Sequence, residues 1–249
     1  MSLRDNTIIA WFSCGITSAV ACKIALKMYD NVELYYTDTG SQEEDSMRFL
    51  HDCEKWYGKK INIIKSEKYT DHFDVIEKEN MISVRNYYPC TNHLKIQLRY
   101  ALEDELKAWD GQVWGFDLGE QNRASRMIEQ YPNMKPLFPL INKGLTKDNC
   151  AYMLKRVGIE LPLMYRLGYQ NNNCIGCVRG GMGYWNKIRQ NFPETFNRMA
   201  ELEQRVGHSC LKDDNGALFL KDLDPNRGDF PTEIMPECGL FCELEFMDL

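Results

Sequence analysis

The 249-residue chain has no apolar run near the roughly 20 residues that a membrane span needs, and no basic-then-apolar segment at its start. A cytoplasmic protein with no membrane partner is therefore expected. Positive charge is also scarce: the net charge of −6 argues against a general nucleic-acid face, so nucleic acid is not an expected partner. Internal repeats and low-complexity tracts are lacking as well. What is present is ordinary for a globular protein, with 44% hydrophobic and 27% charged residues, and the length suits one large α/β domain or a domain with an appended piece. Ten cysteines in an intracellular chain suggest metal ligands, reactive thiols or small buried hydrophobes rather than a disulfide framework.

The stretch Thr7–Phe12 is short and continuously apolar, as a strand buried on both faces should be. Ser13, Gly15, Thr17 and Ser18 follow at once, and helical spacing takes over from Ala19 to Met28. A small-residue loop that opens a helix directs backbone N–H groups and the positive end of the helix dipole toward an anion. The same residues also suit a turn that is small only for close packing.

Further strands are expected over Asn31–Tyr36, Lys60–Lys65, Gln112–Phe116 and Lys135–Leu140, with helices over Glu43–Tyr57, Thr91–Trp109 and Asn149–Val157. This β-α alternation predicts a doubly wound, mostly parallel five-stranded sheet. Ligands in such sheets sit beyond the carboxyl ends of strands. Asp38, Thr39 and Gly40 lie there, with Asp38 placed to meet a ribose or adenine or, with Ser41, to cap the next helix. Glu120, Arg123 and Arg126 follow the fourth strand at spacings of three on one helix face, suited to an anionic substrate or to a solvated charge face. Thr91 or Asn92 as N-cap would set Cys90 beside a helix N-terminus, where a thiolate is stabilised.

Composition shifts near Gly168, and we divide the chain into a nucleotide-binding domain over residues 1–165 and a Cys-rich helical and loop extension over 166–249 that packs over the active site. The extension holds Cys174-x-x-Cys177, a helix over Tyr184–Val206, an Asp214-Asn215-Gly216 turn, and Cys238-x-x-x-Cys242. These two pairs, with Cys90 as a fifth candidate, suit a structural zinc or an iron–sulfur cluster, between which spacing does not choose. Cys14, Cys22, Cys53, Cys150 and Cys210 have no paired spacing, and most of them are expected to be packing residues.

With these residues in view, the chain resembles the phosphoadenosine phosphosulfate (PAPS) reductase family, within the PP-loop adenine-nucleotide enzymes. Ser13-Cys14-Gly15-Ile16-Thr17-Ser18 is similar to the PP-loop Ser-Gly-Gly-x-Asp-Ser, and Asp38-Thr39-Gly40 to the Asp-Thr-Gly after the second strand. Cys90 with Lys95–Leu98, the stretch from Leu163 to Cys177, and Glu237-Cys238-Gly239-Leu240 resemble, in order, the three cysteine-bearing segments of the reductases. The resemblance implies an adenine nucleotide (PAPS, its form without the 3′-phosphate, APS, or ATP) over Ser13, Gly15, Thr17, Ser18, Asp38, Thr39, Gly40 and Glu120. It implies Cys238 as nucleophile with Lys95, Arg123 and Arg126 around the phosphosulfate. It further implies Cys90, Cys174, Cys177 and Cys242 as ligands of zinc or a [4Fe–4S] cluster, and a thiol reductant such as thioredoxin as partner. Three departures stand out. Thr17 replaces the acidic residue of the ATP-cleaving enzymes, Cys90 is single where cluster-bearing reductases have adjacent cysteines, and Phe241 replaces a histidine. The alternatives are a PP-loop ATP-dependent sulfur or nucleotidyl transferase, and a non-catalytic nucleotide-binding protein with a structural Cys₄ metal site.

Overall fold

The computed structural model describes residues 7–85 and 87–231. Strand β1 (Ile8–Phe12) is buried along its whole length and pairs in parallel with β2 (Val32–Asp38) on one side and β4 (Gly111–Val113) on the other. With β3 (Asn62–Lys65) and β5 (Pro136–Leu137) they form an all-parallel sheet of order β3-β2-β1-β4-β5. The proline begins an edge strand, where its missing donor costs least. The chain runs outward from β1 to β3 and then returns beside β1 as β4, so strand order reverses at the β1/β4 boundary. The carboxyl ends of those two strands are where a ligand crevice forms in such sheets.

Side-chain alternation along β1 feeds two cores. Ile8, Ala10 and Phe12 pack with Val20, Cys22, Cys53, Cys150 and Leu154 on one face, while Ile9 and Trp11 pack with Leu102, Met127 and Phe138 on the other. Cys14, Cys22, Cys53 and Cys150 are thus packing residues, as expected. A third core joins Tyr184, Trp185, Phe196 and Leu202 to Phe73, Ile76 and Ile82, so the segment beyond residue 165 also buries side chains from the helix His72–Glu79 and the loop after it.

Several elements differ from the sequence expectation. The helix over Tyr184–Val206 is two, Met182–Asn191 and Pro193–Val206, because Phe192 precedes a proline and leaves the helical region at φ −138°, ψ 63°. The helix over Thr91–Trp109 starts at Pro89 with Tyr88 as N-cap, so Cys90 lies inside its first turn. It then widens into a π-helical stretch, Asn92–Ile96, before continuing as Gln97–Leu106. Glu44 occupies the N-cap position of Asp45–Tyr57 without a side-chain cap bond, whereas Asp38 accepts from Gly40 N at 2.9 Å in a tight turn. Strand β2 extends to Asp38, and β4 ends at Val113 rather than Phe116. The Asp214-Asn215 turn joins β6 (Leu211–Asp213) and β7 (Gly216–Leu218). Among the described residues no helix is long and apolar enough to cross a membrane.

Asp45 ties the second helix to the segment after Pro162. Its carboxylate pairs with Arg48 at 2.5 Å and Arg166 at 3.3 Å and accepts from Leu163 N at 2.8 Å. The hydrogen bonds from Arg48, first among these, hold its pKa at about 2 against an ordinary 3.8. A carboxylate depressed in the folded state contributes fully above its unfolded pKa and loses that contribution as pH falls through the folded one. Asp45→Asn is therefore expected to cost roughly 2 kcal/mol near neutrality and to lose that cost as pH falls through and below about 2. Denaturant melts of both chains across that range check this, with converging stabilities between about pH 4 and pH 2 as the signature.

Candidate functional site

The loop after β1 is braced from within. Cys14 adopts φ 57°, and Gly15 caps the helix Ile16–Met28 in extended conformation. The Ser18 hydroxyl donates to Gly15 O at 2.9 Å and accepts from Ser13 N and Ser13 Oγ, both at 3.0 Å. Its proton and acceptor sites are thereby used inside the loop, which makes Ser18 a brace more than a donor. Gly115, just beyond β4, passes so close that a Cβ there would lie 2.6 Å from Ser18 Cα and 2.7 Å from Ser18 N. Cys14 is fully buried, and burial pushes its thiol pKa far up, so it is a packing group.

Ser13, Thr17 and Ser18 open onto a cleft enclosing about 770 Å³ of non-atom space, part of it open to solvent, at the carboxyl ends of β1, β2 and β4. Trp11 and Trp114 supply flat apolar wall, their rings stacked with centroids 5.7 Å apart and planes 24° apart. Arg123 lines the β4 side. Its guanidinium lies 4.3 Å over the Phe116 ring and its Nη1 pairs with Glu120 at 2.8 Å, while Nε and Nη2 are buried without a hydrogen-bond partner. The Thr37 hydroxyl and Asn172 Oδ1 are two more buried polar atoms without a partner on lining residues. Lys95, carried by the π-helical stretch, and Cys174 complete the wall. Of the residues predicted for the nucleotide and its phosphosulfate, Gly15, Asp38, Thr39, Gly40, Glu120 and Arg126 stand outside this lining.

Cys174 and Lys95 also face a second, smaller and mostly apolar cavity, which they share with Thr39, His72, Cys90 and Cys177. The fold thus brings Cys90, distant in sequence, to the Cys174–Cys177 pair on the far side of one cleft wall. Thr39 Oγ1 donates to Gln42 Oε1 at 2.8 Å, an oxygen that also accepts from Thr39 N, so the 3.2 Å contact with Cys174 has the thiol as donor. Among the described residues no three His, Cys, Asp or Glu side chains are arranged to hold a metal ion. Cys90, Cys174 and Cys177 line one cavity, while the predicted nucleophile Cys238 and ligand Cys242 lie outside the described residues.

The Cys-x-x-Cys turn is held from three sides. The buried Tyr184 hydroxyl accepts from Gly176 N at 3.1 Å and Cys177 N at 3.0 Å and donates to Cys174 O at 3.2 Å. His72 Nε2 donates to Gly176 O at 3.2 Å, and Ile175 N to Ser41 O at 2.8 Å. Tyr184→Phe keeps the ring but removes the hydroxyl that two buried N–H groups donate to, a loss of about 1–3 kcal/mol for a buried hydrogen bond of this kind. A lowered melting temperature and faster thiol labelling of Cys174 and Cys177 are expected. Unchanged labelling would show that the turn does not depend on this hydroxyl.

Local sequence reading missed Trp114, Gly115, Asn172, His72 and Tyr184. The one available signal was the Trp-Gly-Phe directly after a strand, since a glycine there marks a close backbone approach.

Residues 7–180 match the model of the phosphoadenosine phosphosulfate reductase domain. Two uncharacterized proteins of Methanocaldococcus jannaschii are each 24% identical to the chain, over 89% and 77% of it. The chain spans about half the length of these curated relatives, 54% of one and 40% of the other. The crystal structure of phosphoadenylyl-sulfate reductase from Candida auris, a phosphate complex, superposes with a TM-score of 0.53 at 13% identity, covering 67% of this chain and 80% of that one. That likeness is one of fold, and it agrees with the five-stranded parallel sheet and its flanking helices. By the match across most of its length, the chain belongs to the phosphoadenosine phosphosulfate reductase domain family.

Proposed function

We propose that the protein binds an adenine nucleotide bearing a phosphosulfate in the cleft above the 13–18 loop and transfers the sulfonyl group to the thiol of Cys238. The supporting observation is Arg123, with two buried guanidinium nitrogens lacking partners on the wall of a cleft that also holds the anion loop, Lys95 and Cys174. A planar cation so placed suits the paired oxygens of a phosphate or sulfate. In this reading the Cys238 thiolate attacks the sulfur, a sulfur–sulfur bond forms, and the sulfur–oxygen bond to the nucleotide phosphate breaks. The electron pair departs with the nucleotide, whose new charge Arg123 and Lys95 neutralise. A dithiol reductant of the thioredoxin type then releases sulfite from the S-sulfonate and is itself oxidised to a disulfide. No step runs through a metal. The division at residue 165 assigns the cleft floor to the first domain and Asn172, Asn173 and Cys174 to the second.

Incubation with adenosine phosphosulfate or its 3′-phosphorylated form tests this directly. Without reductant, mass analysis should find an S-sulfonate on the protein; with thioredoxin and its reductase, sulfite should appear. A second reading, ATP-dependent sulfur or nucleotidyl transfer, draws on Cys174, a thiol on the nucleotide cleft wall itself. Pyrophosphate release from ATP with no sulfite would favour it. Nucleotide binding with no turnover of any of these would leave a binding protein.

A further inference from the structure

We propose that Asn172 is the residue that selects the bound nucleotide, by accepting a hydrogen bond from a neutral hydroxyl or amine donor on it; this rests on the nucleotide reading of the cleft. The Asn172 amide cannot turn over. Its Nδ2 donates to Cys14 O at 3.0 Å and to Ser46 Oγ at 2.9 Å, which uses both hydrogens. Flipping the amide would set Oδ1 against the Cys14 carbonyl, two acceptors face to face. Cys14 and Ser46 are buried and lie behind the lining, which leaves Oδ1, buried without a partner, as the end of this cleft-lining side chain that is not tied to them.

An amide oxygen in that position accepts and never donates. It disfavours the oxygens of a phosphate or sulfate and suits O–H or N–H. Arg123 Nε and Nη2 have the opposite character, donors only, and also lack partners. Thr37, whose hydroxyl can do either, does not discriminate. The cleft thus holds an acceptor at Asn172 as well as donors at Arg123 and in the 13–18 loop. A ligand that satisfies both carries an anion and a neutral donor, as a nucleoside phosphate does. The neutral donor is a ribose hydroxyl or the exocyclic amine of the base.

Calorimetric affinities for adenosine 5′-monophosphate and its 2′-deoxy, 3′-deoxy and 6-deamino analogues, on the native chain and on Asn172→Ala, separate these sources. One analogue should bind the native chain about tenfold or more weaker than the parent, since a buried acceptor is left unmade. In Asn172→Ala that difference should vanish, while in Thr37→Val it should persist. Equal binding of all analogues to the native chain would overturn the assignment with the nucleotide reading intact. A penalty that survives Asn172→Ala, or is lost in Thr37→Val, would overturn it too. Failure of the native chain to bind the parent would remove the nucleotide reading itself and this assignment with it. Should Asn172→Ala not fold, the analogue series on the native chain still decides whether a neutral donor is read, and Thr37→Val whether Thr37 reads it.

Discussion

Serine in place of Cys238 is expected to bring sulfite release down to background while nucleotide affinity stays at the native value. A thiolate is both more accessible near neutral pH and more nucleophilic than a serine hydroxyl, so the exchange removes the attacking group at almost constant shape. Affinity is retained because the groups proposed to hold the nucleotide, Arg123, Lys95 and the 13–18 loop, are untouched. The other thiols near the loop are poor substitutes. Burial is the main cause that raises Cys14 far above the usual thiol range and Cys53 to about 12. Among the described residues Cys174 is the cysteine with a place on the cleft wall, so Cys174→Ser belongs in the same experiment. If the S-sulfonate disappears in Cys174→Ser and persists in Cys238→Ser, the nucleophile is Cys174 and the assignment to Cys238 is wrong.

Alanine at Gly115 should damage the site from a cleft-lining position that carries no side chain of its own. The added Cβ would meet Ser18 Cα at 2.6 Å and Ser18 N at 2.7 Å, backbone atoms that cannot rotate away. Relief requires the β4 end and the start of the first helix to separate, an overpacking strain of about 1–3 kcal/mol. Displacement would carry into the anion loop, because Ser18 Oγ is the acceptor for both Ser13 N and Ser13 Oγ. We expect a lowered melting temperature and nucleotide affinity reduced by about tenfold or more, as both Ser13 and Ser18 line the cleft. A Gly115→Ala chain with native affinity would show that the loop accommodates the methyl group without loss of its ligand geometry.

The sheet was legible because each strand announces itself locally. Thr7–Phe12 is uninterrupted apolar sequence, and β1 is indeed buried throughout. The capping box at Thr146 and Asn149 is likewise a property of neighbouring residues, and the helix Lys147–Arg156 starts there. Errors arose where local patterns compete. Pro193 can open a helix at its first position while breaking the one before it, and periodicity alone reads the two as one. Arg123 was visible by its spacing from Glu120, and the two do pair, but only its place over Phe116 sets it in the cleft. Arg126 shares that spacing and stands outside the lining.

The sequence by itself determined the parallel α/β class, the anion loop after the first strand, and the cysteine pairs, since each depends on residue types within a few positions of one another. Only the tertiary structure decided what meets the loop. Asn172 reaches Cys14 across 158 positions and His72 reaches Gly176 across 104, and no local periodicity encodes such approaches. Return of the chain beside β1 as β4 brings Gly115 against Ser18, and packing of the segment beyond residue 165 on the helix His72–Glu79 brings Cys174 and Cys177 to Cys90. The loop proposed to hold the anion is therefore local chemistry, whereas the pole proposed to read the rest of the ligand comes from long-range packing.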